Sequence, residues 1–264
     1  MNDLKTFLWW VFVIFTLICI FLCIEAHFRY RNKKGIDEEQ GFSSKYKYLG
    51  QPIYNQQGII QGYELLLREF NQQENKWQLP KNVSNFPLSK IVYSIREIEP
   101  QITDSIKVLA LNMTVSQIID FRANYFFKWV RGIINRQQLS VELDAQDICK
   151  SSLIRRKKTI SLLKEIDHSH IKITIENVDS TKKTYQILKK FLPYVDYLKF
   201  NVRSFNKSKN HWIDITLAQW KNYLERYHVI PIVGKIEKPE QVSLADQLKI
   251  SLRQGYAYGH PGKL

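Results

Sequence analysis

Acidic residues are in short supply: 25 Asp and Glu stand against 39 Lys and Arg in 264 residues, a formal net charge of +14. That surplus favours anionic partners, whether nucleotides, nucleic acid or acidic phospholipid. No aromatic–basic motif of an RNA or DNA module is present, so nucleic acid is not an expected partner. Cysteine is scarcer still. Cys19 and Cys23 lie in an apolar N-terminal segment, and only Cys149 lies beyond it. The main domain therefore has no disulfide framework, which suits a reducing compartment. The six histidines are scattered and no Cys/His cluster has zinc spacing, which removes the zinc-module classes. No glycine-rich turn follows the first strand-like run, which argues against a doubly wound dinucleotide-binding sheet.

One long apolar run is present. Phe7–Ile24 has no charge over 18 residues, enough for a helix to cross most of a bilayer. Trp9 and Trp10 near its start suit an interfacial aromatic belt. The run closes on Phe-Leu-Cys-Ile-Glu with no small-residue cleavage site, so an uncleaved anchor is expected rather than a signal peptide. Arg29, Arg31, Lys33 and Lys34 follow the run, whereas only Lys5, offset by Asp3, precedes it. The positive-inside rule then places the N-terminus outside and the bulk of the chain in the cytoplasm, with a single pass of the cell membrane. The expected organisation is an anchor over 1–24, a juxtamembrane linker over 25–44 and one domain over 45–264.

Within that domain, short β-branched apolar runs alternate with segments of helical period. The clearest helical segment is Thr114–Asn135, where Val115, Ile118, Ile119, Phe126, Trp129, Val130 and Ile133 recur at the right spacing. Others are Asp147–Ile166, Ser180–Leu192, Ile215–Tyr227 and Pro239–Leu248. Alternation of this kind implies parallel strands with crossover helices. About eight strands in a domain of this length predict an α/β fold, a (β/α)8 barrel of the TIM type, with no helix between the first two strands.

Active sites in such barrels lie at the C-terminal ends of the strands. Those ends carry Glu64, Asn112, Glu142, Glu176 with Asn177, Lys199 with Asn201, Gly234 to Glu237, and Gln254. Glu64 sits in Gly-Tyr-Glu-Leu-Leu-Leu-Arg-Glu, among apolar residues, where burying a carboxylate needs a cation or metal to pair with it. On a helix, Glu64 and Arg68 would instead be an ordinary exposed i,i+4 pair. Oxygen donors at several consecutive barrel positions point to a hard cation, Mg²⁺ or Mn²⁺.

These residues, in this order, resemble the EAL domain, a bacterial family that hydrolyses or senses cyclic di-GMP. Gln51-Pro52-Ile53-Tyr54 resembles its opening strand, and Glu64-Leu65-Leu66-Leu67-Arg68 its signature, with Leu65 for alanine. Leu111-Asn112-Met113-Thr114, Val141-Glu142-Leu143, Leu198-Lys199-Phe200-Asn201 and Gln254-Gly255-Tyr256 with Pro261 resemble four further motifs. The similarity covers roughly Tyr48 to Pro261. By that resemblance Glu64, Asn112 and Glu142 are ligands of a first metal, and Glu176 stands where the family has a bridging Asp. Lys199 matches the catalytic lysine that holds the attacking water. Gln51, Leu66, Arg68, Glu237 and Gln254 match nucleotide-contacting positions.

The departures from the family pattern gather on one side. Asn177 replaces the second Asp of the Asp-Asp-Phe-Gly motif, and Asn201 the Asp after the lysine. Gly234-Lys235-Ile236-Glu237 stands for Glu-Gly-Val-Glu, and Ala145 for a glutamate that steadies the neighbouring loop. At most one metal, Mg²⁺ or Mn²⁺, is then expected, and none is required for binding alone. A two-metal clamp on attacking and leaving oxygens needs its whole charged ligand set. The expected function is a membrane-anchored, catalytically silent receptor for cyclic di-GMP. The alternatives are a divergent metal-dependent phosphodiesterase and an interaction scaffold without nucleotide. Protein partners or a second copy of the chain are compatible with the receptor reading.

Overall fold

The computed structural model describes residues 2–30, 45–80, 86–134, 136–206 and 212–264. The chain divides into two compact units, Met1–Gln40 and Gly41–Leu264. In the first, helix α1 (Asn2–Tyr30) carries the apolar run. Within Asp3–Phe28 the most apolar window has a mean hydropathy of 2.9, and none of that window is buried. By length and composition α1 is a candidate membrane span. From residue 31 to 44 the expected linker lies outside the described residues.

The second unit is a closed eight-stranded barrel. Its strands are β1 (Tyr46–Asn55), β2 (Ile60–Asn71), β4 (Val108–Met113), β5 (Gln138–Asp144), β6 (Ile171–Val178), β7 (Tyr197–Asn201), β8 (Ile230–Gly234) and β9 (Leu252–Arg253). The short β3 (Lys76–Gln78) extends β2 as a hairpin outside the ring. Around the ring the order is β1-β9-β8-β7-β6-β5-β4-β2, and β2 pairs again with β1. Seven strands run parallel, and β1 is antiparallel to both of its neighbours. The antiparallel direction of β1, beside the missing helix between the first two strands, has a local reason. Asn55 Oδ1 accepts from the Gln57 and Ile59 amides at 3.0 and 2.9 Å, and Gly58 takes φ +74°. That tight turn makes a hairpin, whereas a parallel return needs a crossover of a dozen residues or so.

The helices are α2 (Leu88–Ile98), α3 (Val115–Ile118), α4 (Ala123–Ile133), α5 (Ala145–Lys150), α6 (Leu153–Glu165), α7 (Lys182–Leu188), α8 (Leu217–Glu225) and α9 (Pro239–Gln247). The segment read as one helix over Thr114–Asn135 is two, α3 and α4, and Asn135 lies outside the described residues. Asp120 breaks it: its carboxylate accepts from the Arg122 amide at 3.0 Å and from the Arg122 guanidinium at 2.9 Å. Short polar side chains compete with the helix in this way. Asp147–Ile166 divides similarly, where Ser152 caps the start of α6. The last strand of the ring, β9, is only two residues long.

Strand residues facing the helices are sealed off: Leu65, Leu111, Val141, Leu143, Ile173, Ile175, Leu198 and Val233 are all buried. Strand period 2 sends the alternate residues into the barrel. There Ser140 and Thr174 hydroxyls meet at 2.8 Å, and above them stand Glu64, Glu142 and Lys199. At Gly62 an added Cβ would lie 2.2 Å from the Val108 carbonyl oxygen, so only glycine lets β2 approach β4 beside Glu64.

Candidate functional site: a lysine among three carboxylates

Glu64 lies within β2, so the exposed helix pair is not what forms. Parallel register sets Glu64 beside Ala110 and Asn112 beside Glu142, while Glu176 lies near the C-terminal end of β6 and Lys199 centres β7. Lys199 Nζ donates to Glu64 Oε2 at 2.7 Å and to Glu142 Oε2 and Oε1 at 2.9 and 3.1 Å. Glu176 Oε2 lies 3.7 Å from the same ammonium. Two amides complete the shell of Glu64: Asn112 Nδ2 at 2.7 Å and Gln254 Nε2 at 2.9 Å. Glu64, Glu142, Lys199 and Gln254 are each buried.

One ammonium faces three carboxyl groups in a nearly dry interior, so the charges cannot all be balanced. Burial pushes Glu142 up to about 8, with Glu64 and Glu176 adding to the rise and Lys199 opposing it. Burial likewise lifts Glu176 to about 7, helped by Glu64 and Asp144 against Lys199 and Lys235. Glu64 is also buried, yet the Lys199 charge and the hydrogen bonds from Lys199, Asn112 and Gln254 hold it below the usual range. For Lys199, burial works against the charge and the three glutamates more than restore it, so it stays protonated. Since the native state holds protons on Glu142 and Glu176 that an unfolded carboxyl near 4.5 has lost, metal-free stability falls as pH rises from about 5 to 8. Melting curves in a chelator across that window check this, and a flat or rising profile contradicts it.

The EAL domain family model matches residues 43–261. The chain belongs to the EAL domain family. No curated protein matches it. Among solved structures its fold is similar to the FimX EAL domain from Pseudomonas aeruginosa, solved bound to c-di-GMP. That likeness has 17% identity and a TM-score of 0.65, over 86% of this chain and 95% of that one. The EAL enzyme Bd1971, in its cAMP- and cyclic-di-GMP-bound form, gives 16% identity and a TM-score of 0.65, over 85% of this chain. This chain spans 64% of that enzyme's length. YkuI of Bacillus subtilis, solved with c-di-GMP and calcium, gives 15% identity and a TM-score of 0.64, over 86% of this chain and 58% of that one. At such identities the likeness is one of fold.

Above the lysine this EAL domain opens into a cleft of about 470 Å³. Gln51, Glu64, Leu66, Arg68, Asn112, Glu176, Lys199, Glu237 and Gln254 all line it, while Glu142 lies beneath, sealed by the others. Arg68 Nη1 donates to its neighbour's backbone, Leu67 O, at 2.9 Å, and among the described residues no carboxylate pairs with it. Burial lowers its pKa, with Tyr256 and Glu64 opposing. Gln51 Nε2 reaches Gly259 O at 3.3 Å. Two of the expected nucleotide contacts are already engaged: Gln254 holds Glu64, and Glu237 pairs with Arg203.

Sequence reasoning missed Arg203, Tyr256 and Asp144. Asn177, at φ +55°, donates its side-chain amide to Asp144 Oδ2 at 2.7 Å. Asp144 also caps α5 through the Gln146 and Asp147 amides. Its signal was present: it ends the strand Val-Glu-Leu-Asp, where rim residues gather. Asn201 caps the turn after β7 by accepting from the Arg203 amide at 3.3 Å. Lys235 adopts φ +61° at a position where the family pattern has glycine, a conformation that costs a lysine on the order of 1 kcal/mol.

Proposed function

We propose that this EAL domain is a membrane-anchored receptor for cyclic di-GMP that no longer performs the family's hydrolysis. The observation that carries the reading is the Lys199 ammonium held by Glu64, Glu142 and Glu176. A fixed cation inside the carboxylate ring offsets its negative charge without a divalent ion. The oxygens of those three glutamates lie within 4.8 Å of one another, a donor set that fits one Mg²⁺ or Mn²⁺ once Lys199 withdraws. Such an ion would neutralise phosphate charge there, with the Asn112 amide oxygen as a further donor. A second ion does not fit. Asn177 and Asn201 offer neutral amides, each committed to a local hydrogen bond, and Gly234 offers no side chain.

Ligand contacts and the chemical step draw on different interactions, so losing one does not remove the other. The FimX domain's solution with c-di-GMP supports a nucleotide in this cleft, and Arg68, which lines it with no carboxylate partner among the described residues, is a donor to answer it. Calorimetry of the full chain in detergent should give heat with cyclic di-GMP in the presence of a chelator. Chromatography should show no linear product with Mg²⁺ or Mn²⁺. Asn177→Asp and Gly234→Glu together should be needed for any turnover, since a second ion needs its whole charged ligand set, and an added Cβ at Gly234 meets only ordinary contacts near 3.5 Å. Wild-type turnover abolished by Glu64→Ala would hand the function to a divergent phosphodiesterase. A folded chain with no heat would leave only a scaffold.

The apolar α1 and the cations that follow it support anchoring with the domain in the cytoplasm. A reporter active only outside the cytoplasm, fused after Leu264, should stay dark, and a bright fusion refutes the orientation.

A further inference from the structure

The exposed faces of α4 and α6 are not explained by nucleotide binding. These helices serve successive crossovers, β4 to β5 and β5 to β6, so they are neighbours on the outer ring. Two contacts tie their flanks: Arg155 reaches Ser116 of α3, and Arg131 Nη1 lies 3.9 Å from Asp167 beyond α6. Together they carry seven cations against one carboxylate. On α4 these are Lys128 and Arg131, and on α6 Arg155, Arg156, Lys157, Lys158 and Lys164 against Glu165. Among the described residues Lys128, Lys157 and Lys158 have no ion-pair partner. Large apolar side chains stand out between them: Tyr125 and Trp129 are 64% and 53% exposed, Leu153 and Ile154 66% and 80%.

We propose that the α4–α6 face is a peripheral docking surface for an anionic lipid bilayer, a reading that rests in part on the anchoring of α1. The composition is that of an interfacial element, aromatic and aliphatic side chains entering the headgroup layer with lysines beside acidic headgroups. A second copy of the chain is the poorer occupant, because two faces with a surplus of positive charge would meet. Residues 31–44 reach on the order of 50 Å at full extension, so an anchored domain stays close to the surface. Such a tether raises the effective concentration of a weak contact. Docking here would fix how the nucleotide cleft is presented to the membrane.

Amide exchange on the full chain in nanodiscs tests this, with phosphatidylcholine alone or mixed with phosphatidylglycerol. Exchange should slow in α4 and α6 only in the anionic discs. Each lysine near an anionic surface contributes on the order of fivefold in affinity. Lys157→Glu with Lys158→Glu should therefore erase the slowing, and Tyr125→Ser with Trp129→Ser should weaken it. None of these side chains belongs to the cleft, so cyclic di-GMP binding should persist. Unchanged exchange in anionic discs, or equal slowing in neutral ones, overturns the proposal. So does concentration-dependent slowing in detergent without lipid, which would assign the face to a second copy. Protection of α1 reads the anchor separately: if α1 exchanges freely while α4 and α6 are protected on anionic lipid, only the anchoring fails.

Discussion

Replacing Lys199 by methionine is expected to cost the metal-free domain about 3–5 kcal/mol at pH 8, the scale for removing one partner of a buried ion pair. Methionine keeps much of the stem and removes the charge. What remains is Glu64, Glu142 and Glu176, with oxygens within 4.8 Å of one another and nothing positive between them. At pH 5 the cost should shrink, because carboxyls deprived of their cation can take up protons instead. Denaturant unfolding of wild type and variant at both pH values, in a chelator, measures the difference. Mn²⁺ should then restore much of the variant's loss at pH 8, since the emptied ring is a hard-cation donor set, while changing wild type little. Equal stabilisation of both proteins by Mn²⁺ would show that Lys199 yields its place readily. The internal-cation reading would then fail.

The barrel could be read in advance because its evidence is periodic. Each strand alternates sealed apolar residues with interior ones, as in Leu109, Leu111 and Met113 on β4 around Ala110 and Asn112. Boundaries were harder wherever a polar side chain outbid the backbone, as Asp120 does between α3 and α4 and Ser152 does before α6. The hairpin direction of β1 depended on one asparagine and one glycine, Asn55 and Gly58, which periodicity does not weigh.

For the site, the residue types were legible and their partners were not. Glu64, Asn112, Glu142, Lys199 and Gln254 converge because parallel register brings strand ends together, and that follows from motif order. Which of them would be spent on one another does not follow. Gln254 and Glu237, expected to face a nucleotide, have protein partners, and Asp144 holds Asn177 where the motif suggested a lost acid. A side chain's partner comes from far along the chain, 190 residues away for Gln254 and Glu64, and no local pattern carries it.

Arg68→Ala is expected to weaken cyclic di-GMP binding by at least about thirtyfold, the lower range for truncating a charge that pairs with a ligand in a desolvated contact. Arg68 lines the cleft near Lys199 and Gln51, and among the described residues its only hydrogen bond to the protein is to the Leu67 carbonyl. Its guanidinium therefore has donors to spare for a phosphate or a guanine edge, in the forked geometry that a lysine lacks. Since no carboxylate depends on it among the described residues, the same substitution should leave the melting temperature nearly unchanged. The pairing of large binding loss with small stability change is the informative result. Calorimetry on the full chain gives the first quantity and thermal unfolding without ligand the second. Gln51→Ala should fall between Arg68→Ala and wild type in affinity, because its amide already leans on Gly259 at 3.3 Å. If Arg68→Ala binds like wild type, the nucleotide does not use this cleft. If it instead unfolds the barrel, Arg68 is a scaffold residue and the receptor function loses its principal donor.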